Sequence, residues 1–106
     1  MPMKRLLICC IFGNTAMTLA KKMQVVADAR RYQIQISGVG AEGFESIAPA
    51  FDCFLVAPHI QYKLTELKTL IKEGQPIQVI ESYPYAAIDA EKILDFAIGH
   101  MEVLTD

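Results

Sequence analysis

The sequence predicts an α/β fold: a four-stranded parallel sheet in the order 2-1-3-4, with helices on both faces. Three observations predict it. Apolar runs of strand length alternate with segments of helical apolar spacing from end to end. Gly or Pro interrupts the chain at most junctions. One run, Gln33-Ile34-Gln35-Ile36, alternates polar and apolar residues, as an outermost strand with a wetter face would.

Lys4 to Cys9 reads as the first strand, and Gly13-Asn14-Thr15 ends it. From Thr15 to Arg31, Leu19, Met23, Val26 and Ala27, with Ala16 and Ala20 beside them, fall on one helical face. Lys21, Lys22, Gln24 and Asp28 are left for solvent, Met17 and Met23 read as packing residues, and Asn14 or Thr15 can cap the helix. After the Gln33–Ile36 strand, Gly38, Gly40 and Gly43 mark a loop, and Glu45 to Ala50 suits a short helical turn ended near Pro49. Asp52 to Val56 is a buried third strand, stopped by Ala57-Pro58. Ile60, Leu64, Leu67 and Ile71 have the i, i+4, i+7, i+11 spacing of an amphipathic helix, with Gly74 as its stop. Pro76 to Ile80 is the fourth strand and Ser82–Tyr85 a loop. Ala90, Ile93, Leu94, Ala97 and Met101 line the buried face of a final helix. Right-handed crossovers then open a crevice beyond the ends of strands one and three, at Cys10–Thr15 and Ala57–Tyr62.

A chain of 106 residues suits one domain over residues 1–106, which needs no disulfide or metal to fold. Net charge is −2 with both signs mixed along the chain, so no nucleic-acid footprint is expected. Lys21, Lys22, Arg30 and Arg31 share one predicted helix, either as a solvated face or as a docking patch for an acidic partner. The densest apolar run, Leu6 to Phe12, is far short of the ~20 residues of a membrane helix. The start, Met1-Pro2-Met3-Lys4-Arg5, lacks the small-residue cleavage site of a signal peptide, so a cytoplasmic protein without membrane insertion is expected. Cys9, Cys10 and Cys53 are an odd number with no C-x-x-C, which argues against a disulfide framework, a zinc knuckle or a dithiol redox pair.

The chemistry concentrates at Cys10. Cys9 and Cys53 lie inside strands and read as small packed hydrophobes. Cys10 opens the loop Ile11-Phe12-Gly13-Asn14-Thr15, which runs straight into a helix. Unpaired N–H groups and the helix dipole favour negative charge there, whether a thiolate or a phosphoryl group on sulfur. Gly13 lets the backbone turn around such an anion. Asn14 and Thr15 can donate to phosphate oxygens or cap the helix. The outline is similar to the C-x-x-x-x-x-R loop of low-molecular-weight tyrosine phosphatases, whose fold the predicted sheet order also resembles. Here Ala16 stands where that loop has its arginine, and Asp89 is followed by Ala90 rather than proline. A site without the guanidinium clamp and the general acid suits holding and passing on a thiophosphate, not hydrolysing a phosphate ester.

Over nearly its whole length the sequence resembles the lactose/cellobiose-type enzyme IIB family of sugar phosphotransferase systems. Four segments carry the resemblance: Leu6-Leu7-Ile8-Cys9-Cys10 with Gly13, Lys21-Lys22-Met23, Val56-Ala57-Pro58-His59-Ile60-Gln61-Tyr62, and Val79-Ile80-Glu81-Ser82 followed by Tyr85 and Asp89. The resemblance implies a phosphotransferase subunit. A phosphohistidine on enzyme IIA donates to Cys10, and the phosphocysteine donates to a sugar bound by the membrane permease, enzyme IIC, during uptake. Cellobiose, lactose and chitobiose all fit, since the permease binds the sugar. It implies a phosphate-binding loop of Ile11, Phe12, Gly13, Asn14, Thr15, Ala16 and Met17, with no metal or other cofactor. A monomer is expected, because successive partners must reach one crevice.

The loop departs from the family pattern, where hydroxyl-bearing residues are usual in place of Asn14-Thr15-Ala16-Met17. Backbone donors survive that change. His59 replaces the usual glutamine and reads either as a capped surface histidine or as a contact to phosphate or partner. Tyr62, Tyr83 and Tyr85 gather at the crevice rim as interface aromatics or loop anchors. The altered loop also admits a non-catalytic regulatory module that kept the fold, and a thiol phosphatase is the remaining alternative.

Overall fold

The structure, a computed structural model, describes residues 3–101. Met1 and Pro2 of the leader-like start, and the last five residues of the expected domain, lie outside the described residues. Strands β1 (Lys4–Cys10), β2 (Ile34–Gly40), β3 (Cys53–Val56) and β4 (Ile77–Val79) form one parallel sheet in the order β2-β1-β3-β4. The helices are α1 (Asn14–Ala29), α2 (Phe44–Ile47), α3 (Leu64–Lys68), α4 (Ser82–Ala86) and α5 (Ala90–Ile98). The sheet order is the one expected, with the polar-alternating strand outermost.

β1 is the centre of the core. Leu6 through Cys10 are all buried, as a strand flanked on both edges and covered on both faces requires. Alternation puts Leu6, Ile8 and Cys10 on one face and Leu7 and Cys9 on the other. Phe54, opposite Leu7 in the register, meets Phe44 of α2 at 5.5 Å between ring centroids. Ala16, Leu19, Ala20, Met23 and Ala27 form the buried stripe of α1. Arg30, just past α1, reaches Asp95 at 2.7 Å and Glu91 at 3.4 Å on α5, which ties the two helices together. Arg30 therefore leaves the basic cluster that the helix was expected to show, while Lys21 and Lys22 are exposed.

Several boundaries differ from expectation for identifiable reasons. β1 runs one residue further, so Cys10 ends the strand and pairs with Gly40. β2 extends through Gly38 and Gly40, two of the three glycines expected to be loop, because Phe12–Gly13 and the start of α1 lie across that stretch and leave no room for side chains, while Gly43 falls in the 3-10 turn that follows. Gln24 is not solvated: its Nε2 donates to the Ile34 carbonyl at 3.0 Å and its Oε1 accepts from the Ile36 N–H at 2.8 Å. It thereby satisfies backbone groups of the outermost strand. Met17 is 51% exposed and does not pack in the core, whereas Met23 does.

The long helix expected from Ile60 to Ile71 is instead a 3-10 turn, Pro58–Lys63, followed by the short α3. The apolar spacing is still used, since Ile60 and Leu67 are buried. Ile60, however, has non-helical backbone angles (φ −117°, ψ 23°). The Thr69 hydroxyl bonds the Glu66 carbonyl at 2.6 Å just past α3, a local competitor of helix propagation. Gly74 (φ +89°) sits in the following turn, not at the helix end. Ser82–Tyr85, expected as loop, is the helix α4. Pro84 is tolerated in its first turn because a first-turn N–H has no intrahelical partner to lose. α5 is capped by Asp89, whose carboxylate accepts from the Lys92 N–H at 3.2 Å.

Candidate active site

The site is built where β1 hands the chain to α1. Gly13 takes a left-handed conformation (φ +90°) that reverses the backbone immediately after the strand. A Cβ there would be strained and would lie 2.8 Å from the Gly40 nitrogen, so glycine is required on both counts. The reversal aims two backbone donors at the Cys10 sulfur. Gly13 N–H reaches Sγ at 3.0 Å and Ala16 N–H at 3.4 Å. The N-cap position of α1 is Gly13, which has no side chain to offer, and the expected cap by Asn14 or Thr15 is not formed. Sulfur occupies that role, taking one of the helix's unpaired N–H groups. No acidic residue stands in the first turn to oppose an anion.

The floor of the site is β2. A Cβ on Gly38 would lie 2.4–2.5 Å from backbone atoms of Ala16 and Met17. That close approach seats the first turn of α1 directly on the sheet and fixes where its N–H groups point. Beside the loop, a groove of about 420 Å³ is bounded by Ile11, Phe12, the Gly40–Gly43 corner and Lys63.

The three thiols differ in setting. Cys9 and Cys53 are buried away from the loop, and desolvation pushes each up to about 12 from an ordinary value of 9.0. Cys10 is also buried, yet it alone receives a pair of backbone N–H donors on sulfur. Cys53 instead lies 3.1 Å from the Met101 sulfur at the opposite end of the sheet.

The expected loop residues are where the sequence placed them, with different exposures. Gly13 and Ala16 are buried and their N–H groups face the sulfur. Ile11 is half-buried, and Phe12, Asn14, Thr15 and Met17 are exposed. His59 is exposed, its ring 5.8 Å from that of Tyr85. Tyr62 and Tyr83 are 71% and 80% exposed. Tyr85 is not a rim residue: α4 turns it inward, and it is buried. Its hydroxyl lacks a hydrogen-bond partner, which costs about 1–3 kcal/mol for a buried group. Cys10 and Thr15 lie near enough to influence the phenol's ionisation, but neither stands in hydrogen-bonding geometry to it.

Two apolar residues of the expected phosphate-binding loop are exposed, though neither was expected as a partner contact. Phe12 is 82% exposed and Met17 51%. Met17 was legible in principle, because it stands about 100° around the helix from Ala16, off the stripe through Ala20, Met23 and Ala27. Among the described residues no group of three or more His, Cys, Asp or Glu side chains is placed to hold a metal ion.

The site is thus a parallel sheet whose first strand delivers a cysteine sulfur to the N-terminal turn of a long helix. The family model for the lactose/cellobiose-specific IIB subunit of the phosphotransferase system matches residues 5–96, and the chain belongs to that family. Two solved structures share the fold. One is the lactose-specific IIB component domain from Streptococcus pneumoniae (TM-score 0.84, 18% identity, 95% of this chain and 100% of that one). The other is a cellobiose-specific phosphotransferase IIB component from Borrelia burgdorferi (TM-score 0.74, 23% identity, 93% and 92%). A comparison with curated proteins gave no match. No helix among the described residues is long and apolar enough to cross a membrane.

Proposed function

We propose that the chain acts as one IIB domain over residues 1–106, a cytoplasmic phosphocarrier that takes a phosphoryl group onto Cys10 and passes it to a sugar. The observation that carries this reading is the pair of backbone N–H groups on the Cys10 sulfur at the start of α1. The donor is the phosphohistidine of a lactose/cellobiose-type enzyme IIA. The Cys10 thiolate attacks phosphorus, the S–P bond forms as the N–P bond breaks, and the imidazole leaves. In the second transfer a hydroxyl of a sugar held by enzyme IIC attacks phosphorus. The O–P bond forms, sulfur leaves as thiolate with the two N–H donors to receive its charge, and the hydroxyl proton goes to solvent or a base of the permease. Such transfers need alignment and anion stabilisation more than covalent help. Backbone donors supply the second whatever side chains the loop carries, so the replacement of hydroxyl residues at Asn14–Met17 does not remove it.

Docking falls to the exposed residues around the loop: Phe12, Met17, His59, Tyr62 and Tyr83. Aromatic and methionine side chains are favoured at the centres of interfaces, and Phe12 and Met17 stand within a few residues of the sulfur that both partners must approach. A monomer leaves these residues open to each in turn.

Incubation with phosphorylated enzyme IIA, read by intact mass, tests the reading. One added phosphoryl group on the wild type and none on Cys10→Ser is the expected result. Transfer that survives in Cys10→Ser would move the acceptor to His59, and no transfer from several such donors would leave a non-catalytic module.

A further inference from the structure

One polar atom in the site has nothing to bond. Tyr85 is 7% exposed, and its hydroxyl is the one buried side-chain oxygen or nitrogen without a hydrogen-bond partner among the described residues. The side chains that bear on it are those of Cys10, Thr15 and, more weakly, Cys9. Burial first, and then the Cys10 sulfur, push the phenol above its ordinary range, so it stays protonated at neutral pH. A protonated, buried O–H beside the atom that carries an anion is a donor without its acceptor. The loop's own polar side chains, Asn14 and Thr15, are exposed and do not fill this role.

Resting on the phosphocysteine reading, we propose that the Tyr85 hydroxyl donates a hydrogen bond to a phosphoryl oxygen once that group stands on Cys10 Sγ. The phenol keeps its proton throughout and forms no covalent bond. It adds a side-chain donor, delivered from α4, to the backbone donors of Gly13 and Ala16. The hydroxyl is unpartnered in the resting protein because its acceptor arrives with the substrate. Such a bond acts on the charged, phosphorylated state and not on docking, since Tyr85 is buried.

Tyr85→Phe removes the oxygen and keeps the ring against His59. Transfer from phosphorylated enzyme IIA is measured for wild type and variant, together with thermal unfolding and the ³¹P resonance of the phosphoprotein. The proposal expects kcat to fall about ten- to hundredfold, as loss of one hydrogen bond to a charged group does. KM for enzyme IIA stays unchanged, the ³¹P resonance shifts, and the unfolding midpoint is equal or higher. Equal kcat in the two proteins overturns the role of Tyr85 and leaves the relay standing. A wild type that accepts no phosphoryl group overturns the relay and this role together. A Tyr85→Phe chain that fails to fold contradicts the premise that the resting hydroxyl is unpartnered, and overturns the role as well.

Discussion

Alternation along β1 sends the Cys9 sulfur into the core and the Cys10 sulfur under the start of α1. Desolvation keeps Cys9 and Cys53 as thiols far above neutrality, with pKa values pushed up to about 12. At pH 7.5 iodoacetamide should therefore modify one cysteine of the folded protein, at Cys10, as peptide mapping would show. Equal, slow labelling of all three would contradict the site. The place of Cys10 at the turn into α1 was legible because an apolar run ends there and a Gly-containing turn follows. Its part as the sulfur that caps α1 was not legible, since capping rules rank Ser, Thr, Asp and Asn and do not consider a thiol three residues before a left-handed glycine. Tyr85 was misplaced for a related reason. Pro84 suggested a loop, and in a loop a tyrosine goes to the rim; in the first turn of α4 the same proline is harmless and Tyr85 turns inward.

Strands and the α1 stripe could be read from periodicity, because burial enforces it. Elements fixed by backbone proximity could not. The extension of β2 through Gly38 and Gly40 depends on α1 lying across them, which no local pattern announces. Gly38→Ala tests that arrangement. Its methyl would meet backbone atoms of Ala16 and Met17 at 2.4–2.5 Å, and backbone yields less readily than a side-chain tip. Denaturant unfolding should show a loss of about 3 kcal/mol, the upper end for overpacking. Phosphoryl acceptance should fall as well, because the N–H groups on Cys10 sit in the turn that must shift. A variant as stable as wild type would show that the first turn of α1 is not seated on β2. The segment after β3 shows the converse: Ile60 and Leu67 are buried as spacing required, yet the non-helical backbone at Ile60 and the Thr69 hydroxyl limit the helix to five residues.

At the level of the entire fold, the sheet order followed from the alternation of elements and the handedness of crossovers, whereas the groove beside the Cys10 loop is walled by the Gly40–Gly43 corner after β2 and by Lys63, not by the expected Ala57–Tyr62. The exposed residues proposed for docking predict a separation of effects. Tyr83→Ala, at a residue 80% exposed, should leave stability within about 0.5 kcal/mol and raise KM for a relay partner. An unchanged KM would remove Tyr83 from the docking surface. Stability should also depend on pH in one direction. Unfolded thiols release their protons near 9.0, whereas folded Cys9 and Cys53 hold theirs to about 12. Stability is thus whole below pH 9.0 and declines as pH rises toward 12, which thermal scans across that range will read. The proposed seat of the phosphoryl group, on Cys10 in the turn that opens α1, is tested by ³¹P and amide NMR of the protein after reaction with phosphorylated enzyme IIA. One phosphorus–sulfur resonance is expected, absent in Cys10→Ser, with the largest amide shifts at Gly13 through Met17. A phosphorus–nitrogen resonance at His59, or amide shifts centred elsewhere, would contradict it.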